Sequence, residues 1–163
     1  MQDEVRDALN EQVRRELQAA YFYLSLSNWY EEEALPGFSS WMRAQASEEY
    51  EHAMRIVDHL HDRDARVEYG ALEAPTATFG SPRDALKAAL EHERKVTGHI
   101  HDLYDLAMEE GDHAARVMLE WFVEEQVEEE HTFTTLLEKM DRAGESGAGL
   151  LVLDDVVSQR SEG

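Results

Sequence analysis

Cysteine is absent from the 163-residue sequence, and lysine occurs only at Lys87, Lys95 and Lys139. Without cysteine there are no disulfide bonds and no thiolate ligands, so any bound metal must be held by carboxylate, imidazole or amide groups. Basic residues are scarce, since 15 Lys and Arg against 36 Asp and Glu give a formal net charge of -21. We therefore expect cations as partners, and no binding to nucleic acid or to an anionic membrane. Abundant acid with little lysine also leads to the hypothesis of a halophilic source organism with a salt-rich cytosol.

Long apolar runs are missing as well. No stretch approaches the ~18 residues of a membrane helix. The sequence begins with the charged segment MQDEVRDALNEQ, which does not resemble a signal peptide. We expect a soluble cytoplasmic protein with no membrane partner. The length is that of one domain, 1–163, with a substantial core.

Glycine and proline fall at only a few places, and they divide the chain into long segments rich in Ala, Leu, Glu and Arg. These residues favour helices, and the segments predict helices over 4–33, 38–62, 82–110, 112–143 and 147–158. Ser81 and Asp112 are the expected N-caps of the third and fourth helices. About 20 residues between the second and third helices can run the length of a bundle. The predicted fold is all-α: a four-helix bundle over 4–143 with one long crossover and a short fifth C-terminal helix.

Each of the four long helices carries an apolar stripe with steps of three and four residues, the pattern of a buried helix face. Near its middle each stripe is interrupted by a carboxylate, in chain order Glu16, Glu49, Glu93 and Glu129. Bundle packing places these four side chains at about one height. Clustered buried carboxylates need a cation to stay ionised, and two divalent ions would balance four negative charges. His52, three residues after Glu49, shares its helix face and offers an imidazole that suits iron.

The fourth helix admits two registers. In one, the inward pair is Gln126 and Glu129, flanked by apolar residues. In the other, the pair is Glu128 and His131, which has Glu-x-x-His spacing. The stripe of this second register also includes Glu124 and is too polar for a core. We therefore prefer the first register.

With these residues the sequence resembles the prokaryotic non-haem ferritins along nearly its whole length. Ferritin-like di-iron bundles use one Glu from each of two helices and a Glu-x-x-His motif from each of the other two. Glu16 and Glu93 match the single positions, and Glu49 with His52 matches one motif. The fourth helix departs from the pattern, because its preferred register has Gln-x-x-Glu.

This departure separates the chain from related families. Bacterioferritins and rubrerythrins have a second Glu-x-x-His, and rubrerythrins generally add a cysteine-rich segment. Bacterioferritin also binds haem through a Met at the position that Tyr50 occupies in this chain. We therefore expect no haem.

The resemblance implies a di-iron ferroxidase centre. Glu16, Glu49 and His52 would hold the first iron. Glu93 and Glu129 would hold the second iron, with Glu49 as the bridge between the two ions. The resemblance thus implies two iron ions in each chain.

Further residues match positions around this centre in ferritins. Gln126 would hydrogen-bond water or a bound oxygen species beside the iron. Tyr23 matches the tyrosine next to the di-iron site, and either a redox role or a hydrogen-bonded core position accounts for it. A third iron position would use the acidic residues Glu48, Glu125 and Glu128, for which the alternative is the solvated face of a charge run.

The resemblance also implies a function. Ferritins oxidise Fe(II) with O2 or H2O2, a ferroxidase activity, and store and detoxify the ferric product as mineral inside a 24-subunit homo-oligomeric shell. The segment SGAGLLVLDDVV resembles the short fifth helix around the four-fold axes of that shell. Two alternatives remain at this point: a di-iron enzyme that transforms an organic substrate, and a non-catalytic acidic bundle whose Glu residues all lie on solvated faces.

Overall fold

The computed structural model of the chain describes residues 1–144 and 146–160. Over these residues the chain forms helices and no strand. The helices are α1 (Asp3–Glu32), α2 (Pro36–Asp62), α3 (Pro82–Glu109), α4 (His113–Ala143) and α5 (Gly147–Val157). Every end lies within two residues of its predicted position. The predicted all-α fold with a short C-terminal helix is confirmed.

Capping residues fix the starts of α3 and α4, as the sequence predicted. The Ser81 hydroxyl accepts a hydrogen bond of 3.0 Å from the Asp84 backbone N–H, and Pro82 occupies the first turn of α3. The Asp112 carboxylate accepts a 3.0 Å hydrogen bond from the Ala115 N–H and also pairs with Arg63 at 2.8 Å. These bonds satisfy backbone donors that a helix start leaves unpaired.

The crossover between α2 and α3, residues 63–81, is held along α1 by polar side chains. The Asn10 amide donates to the Arg66 carbonyl and accepts from the Glu68 N–H. The Gln18 amide makes the same two kinds of bond with the Glu73 backbone. Short turns join α1 to α2 and α3 to α4, so each of these pairs is antiparallel. The crossover returns the chain along the bundle, so α2 and α3 run parallel.

The interior of the bundle consists of two apolar clusters. One combines the C-terminal halves of α1 and α4 with the N-terminal halves of α2 and α3, and it includes Tyr23, Phe38 and Phe133. The other combines the opposite halves and includes Leu9 and Phe122. The stretch between the clusters on each helix is occupied by buried polar residues. The core therefore confines a polar layer to the middle of the bundle.

Helix α5 packs at one end of the bundle against the start of α2. The Asp154 carboxylate accepts hydrogen bonds from the backbone N–H groups of Gly37 at 3.1 Å and Phe38 at 2.8 Å. A negative group is favourable at this position, because the N-terminus of a helix carries partial positive charge. A Cβ atom on Gly37 would lie 1.9 Å from the Asp154 carbonyl oxygen, so only glycine permits this approach.

Within the part of the chain that the structure describes, no helix is both long enough and apolar enough to cross a bilayer.

Candidate metal centre

The polar layer contains one carboxylate from each helix of the bundle. The side chains of Glu16, Glu49, Glu93 and Glu129 are between 1% and 6% exposed, although each could have faced solvent. The alternative in which these acids all lie on solvated faces is therefore wrong. Their burial follows from the stripes, since the apolar neighbours on each stripe cannot enter the core without the carboxylate.

Three of the buried groups come close enough together to share one metal ion. Glu16, Glu49 and His52 each offer a ligand atom, and these atoms all lie within 4.8 Å of one another. His52 Nδ1 is 3.4 Å from Glu49 Oε2 and 3.8 Å from Glu16 Oε2. Glu16 Oε2 is buried and has no hydrogen-bond partner. A buried carboxylate oxygen without a partner is costly, and a cation would satisfy it.

The other half of the layer joins α1, α3 and α4. The Tyr23 hydroxyl donates a short hydrogen bond to Glu93 Oε1. Gln126 Nε2 donates to Glu93 Oε2 at 3.1 Å and to the Glu93 carbonyl at 3.2 Å. Glu93 therefore has a donor on each carboxylate oxygen. The Gln126 amide, to which the resemblance gives a role beside water or a bound oxygen species, directs its N–H groups at Glu93.

Burial raises the pKa of three of the four carboxyl groups, because the charged form loses its hydration. Burial and the charge of Glu129 raise the pKa of Glu93 to about 8. Burial, with the charge of Glu48, raises the pKa of Glu129 to about 7. Burial and the charge of Glu93 raise the pKa of Glu49 well above its usual range. The layer therefore holds protons at neutral pH unless another cation takes their place.

The imidazole of His52 also carries a proton, and with it a positive charge within the layer. Burial lowers its pKa, but the neighbouring carboxylates of Glu16 and Glu49 outweigh this effect and raise the pKa to about 11. Burial by itself would raise the pKa of Glu16. His52, Glu49 and Gln12 outweigh burial and hold this pKa below its usual value. A metal ligand must be deprotonated, so an ion bound here would replace the imidazole proton.

Two buried amides support the carboxylates, although the sequence pattern alone predicts no role for either. Gln12 Nε2 donates to Glu16 Oε1 at 2.7 Å. Gln45 Nε2 donates to Glu49 Oε1 at 3.1 Å and to Glu129 Oε2 at 2.9 Å. Each amide lies four residues before a layer carboxylate, on the same helix face. That spacing is the signal that would have found them.

The acidic residues proposed for a third iron lie at the edge of the layer. Glu48 and Glu125 are half-buried, and Glu128 is exposed. The pKa of Glu125 is raised, chiefly because the side chain is partly buried. Glu48 forms an ion pair of 2.7 Å with Arg160, a residue that sequence reasoning did not connect with the centre.

The two registers of α4 are distinguished by burial. Gln126 and Glu129 are 2% and 6% exposed. Glu128 and His131 lie on the exposed face, so this Glu-x-x-His spacing does not point into the bundle. The half-buried Trp121 packs edge-on against His52, with 5.3 Å between the ring centroids.

Comparison with known proteins agrees with this architecture. The family model of the ferritin-like domain matches residues 6–143. The chain is 36% identical over 154 residues to the bacterial non-heme ferritin of Campylobacter jejuni, which covers 94% of this chain and 92% of that protein. It is 38% identical over 151 residues to ferritin BfrB of Mycolicibacterium smegmatis, covering 93% and 82% of the two chains. A solved structure of an open pore ferritin from the archaeon Archaeoglobus fulgidus has a TM-score of 0.97 at 40% identity, with 99% of each chain covered. These matches confirm the resemblance seen in the sequence, and the chain belongs to the ferritin family.

Proposed function

We propose that the protein is an iron-storage ferritin whose polar layer is a ferroxidase centre that oxidises Fe(II). One observation carries the proposal: the buried oxygen Glu16 Oε2 lacks a hydrogen-bond partner where Glu16, Glu49 and His52 converge within 4.8 Å. A set of two carboxylates and one imidazole suits iron better than magnesium or calcium. Membership of the ferritin family gives independent support.

The four carboxylates and His52 divide naturally between two substrate ions. Glu16, Glu49 and His52 hold the first Fe(II), and Glu93 and Glu129 hold the second. Glu49 bridges the two ions, because its Oε2 lies 3.4 Å from His52 Nδ1 and its Oε1 accepts from the same Gln45 amide as Glu129. The four negative charges balance two divalent ions, which removes the repulsion that raises the carboxyl pKa values.

The chemistry is the transfer of one electron from each Fe(II) to an oxidant, O2 or H2O2. Carboxylate ligands favour this step, since they stabilise Fe(III) more than Fe(II). Protons displaced from His52 and the carboxyl groups on binding Fe(II) are available to the reduced oxidant. Two amides keep Glu16 and Glu49 oriented, so the centre is preorganised before the ions arrive.

Tyr23 and Gln126 act on the second ion through Glu93. Both donate to its carboxylate oxygens, and we propose that they orient Glu93 as a ligand. A redox role for Tyr23 is the alternative. Glu48, Glu125 and Glu128 are proposed ligands of a third iron, because they flank the layer on the side of α2 and α4.

Storage needs a volume that one chain does not provide. We propose that the subunits form a 24-subunit shell in the cytoplasm, with ferric mineral inside and no haem bound. The exposed apolar residues of α5, Leu151, Val152 and Val156, would be covered in such an assembly. A Soret band in the purified protein would contradict the absence of haem.

The test adds Fe(II) to the protein in air and follows near-ultraviolet absorbance. We expect fast oxidation by the natural protein and by Glu51→Ala, an exposed matched control on α2. Glu49→Ala and Glu129→Ala should oxidise Fe(II) only at the rate of a protein-free solution. Slow oxidation by the natural protein itself would refute the ferroxidase. Light scattering after iron loading then tests the shell, and a monomer or dimer would refute storage.

A further inference from the structure

We infer that Arg160 is a positioning residue for the metal centre and acts on it through the amide of Gln45. The inference rests on the proposed function, because it concerns how the proposed ligands Glu49 and Glu129 are held. It extends that function by assigning a role to the segment that follows α5.

Arg160 is fixed against α2 by four kinds of contact. Its guanidinium lies over the ring of Trp41, with 4.3 Å to the centroid. Nη1 donates to the Trp41 carbonyl at 3.1 Å. Nη2 pairs with Glu48 at 2.7 Å. Nη1 and Nη2 are both 3.3 Å from Gln45 Oε1. A planar group held by stacking and by several acceptors has little freedom to move.

These contacts determine which way the Gln45 amide points. A guanidinium has only N–H donors, so it can hydrogen-bond only with the oxygen end of the amide. The NH2 end must then face into the bundle. There it lies 3.1 Å from Glu49 Oε1 and 2.9 Å from Glu129 Oε2. Gln45 is 1% exposed, so water does not compete for either end.

The amide therefore connects ligands on two different helices. Glu49 belongs to α2 and Glu129 to α4, and a single NH2 group donates to both. Groups behind metal ligands fix the orientation of those ligands and strengthen metal binding. Through this chain of contacts, Arg160 orients two carboxylates that it does not touch.

Anaerobic Fe(II) calorimetry on the full-length protein tests this role. We expect Gln45→Leu to weaken Fe(II) binding by roughly tenfold, since it removes a donor to two charged acceptors. Arg160→Gln should weaken binding several-fold, and Arg160→Lys should retain part of the affinity. In the Gln45→Leu background, Arg160→Gln should cause no further loss of Fe(II) affinity, because the two residues act in series.

The direction in which Arg160→Gln changes Fe(II) affinity shows whether Arg160 acts by positioning the ligands or by its charge. Removal of a nearby positive charge would by itself tighten binding of a cation, so a loss of affinity in Arg160→Gln indicates positioning. Arg83→Gln is the matched control: it removes an ion pair of 2.6 Å with Asp141, away from the layer. It should leave Fe(II) affinity unchanged. Denaturation of both variants shows whether they lose similar stability.

Three results would overturn the inference. They are tighter or unchanged Fe(II) binding by Arg160→Gln, an equal loss in Arg83→Gln, and an undiminished effect of Arg160→Gln in the Gln45→Leu background. The Arg160 series decides the matter alone if Gln45→Leu does not fold. Failure of the proposed function looks different, because the natural protein would then bind no Fe(II) in the layer.

Discussion

The Glu16 carboxylate and the His52 imidazole face each other across the interface of α1 and α2, with 3.8 Å between Glu16 Oε2 and His52 Nδ1. The second carboxylate of this group, Glu49, lies 3.4 Å from the same nitrogen. The imidazole proton thus occupies the position between two carboxylates that a bound cation would take. Competition between protons and metal follows from this arrangement.

Binding of Fe(II) should release protons. At pH 7 the imidazole of His52 is protonated, with a pKa of about 11, and so is much of Glu93, with a pKa of about 8. Both must lose protons to become ligands, so affinity should rise as pH increases from 6 to 8. Calorimetry in buffers of different ionisation enthalpy measures the number released. A binding enthalpy that does not depend on the buffer would contradict this prediction.

Stability without metal should change with pH in the opposite direction. The pKa of Glu93 is about 8 and that of Glu129 about 7, both above the usual 4.5 of an exposed glutamate carboxyl. Between these limits the folded chain binds more protons than the unfolded chain, so these two groups lower stability as pH rises. We expect Glu93→Gln to flatten the pH dependence of the denaturation midpoint between pH 5 and 8. An unchanged slope in this variant would show that Glu93 titrates normally.

The fold and most of the polar layer could be predicted because their signals are local. Ser81 and Asp112 mark helix starts within one turn, and Glu16 interrupts an otherwise apolar stripe. The direction of the Gln126 amide could not be predicted, since it depends on a contact with another helix. The contact of Arg160 with Gln45 spans 115 residues of sequence. No periodic pattern relates positions so far apart, so only the packed structure reveals it.

Tyr23→Phe tests whether the hydroxyl orients Glu93. The substitution removes one donor from a buried carboxylate, and we expect a loss of about 1 to 3 kcal/mol in the free energy of unfolding. Tyr21→Phe is the control, because Tyr21 is 44% exposed. Urea denaturation measures both. Full stability together with slow Fe(II) oxidation in Tyr23→Phe would favour the redox role instead.

The surplus of negative charge should make stability depend on salt. With a net charge of -21, the carboxylates of the compact chain repel one another, and added salt screens that repulsion. We expect the thermal midpoint to rise as KCl is increased from low to molar concentration. Equal stability and solubility with and without salt would contradict the hypothesis of a salt-rich cytosol.

Asp154 should decide whether α5 stays docked on the bundle. Its carboxylate accepts two backbone N–H groups at the start of α2. Asp154→Ala removes both acceptors, so we expect a loss of about 1 to 2 kcal/mol, as for a helix cap. Asp155→Ala is the matched control, since the neighbouring Asp155 is exposed. Hydrogen exchange of the Gly37 and Phe38 amides measures the local effect: these amides should exchange faster in Asp154→Ala alone.

Because Arg160 follows the same helix, release of α5 should also weaken Fe(II) binding. Fast amide exchange with unchanged Fe(II) affinity would show that the contact of Arg160 with Gln45 does not depend on the contact of Asp154 with α2.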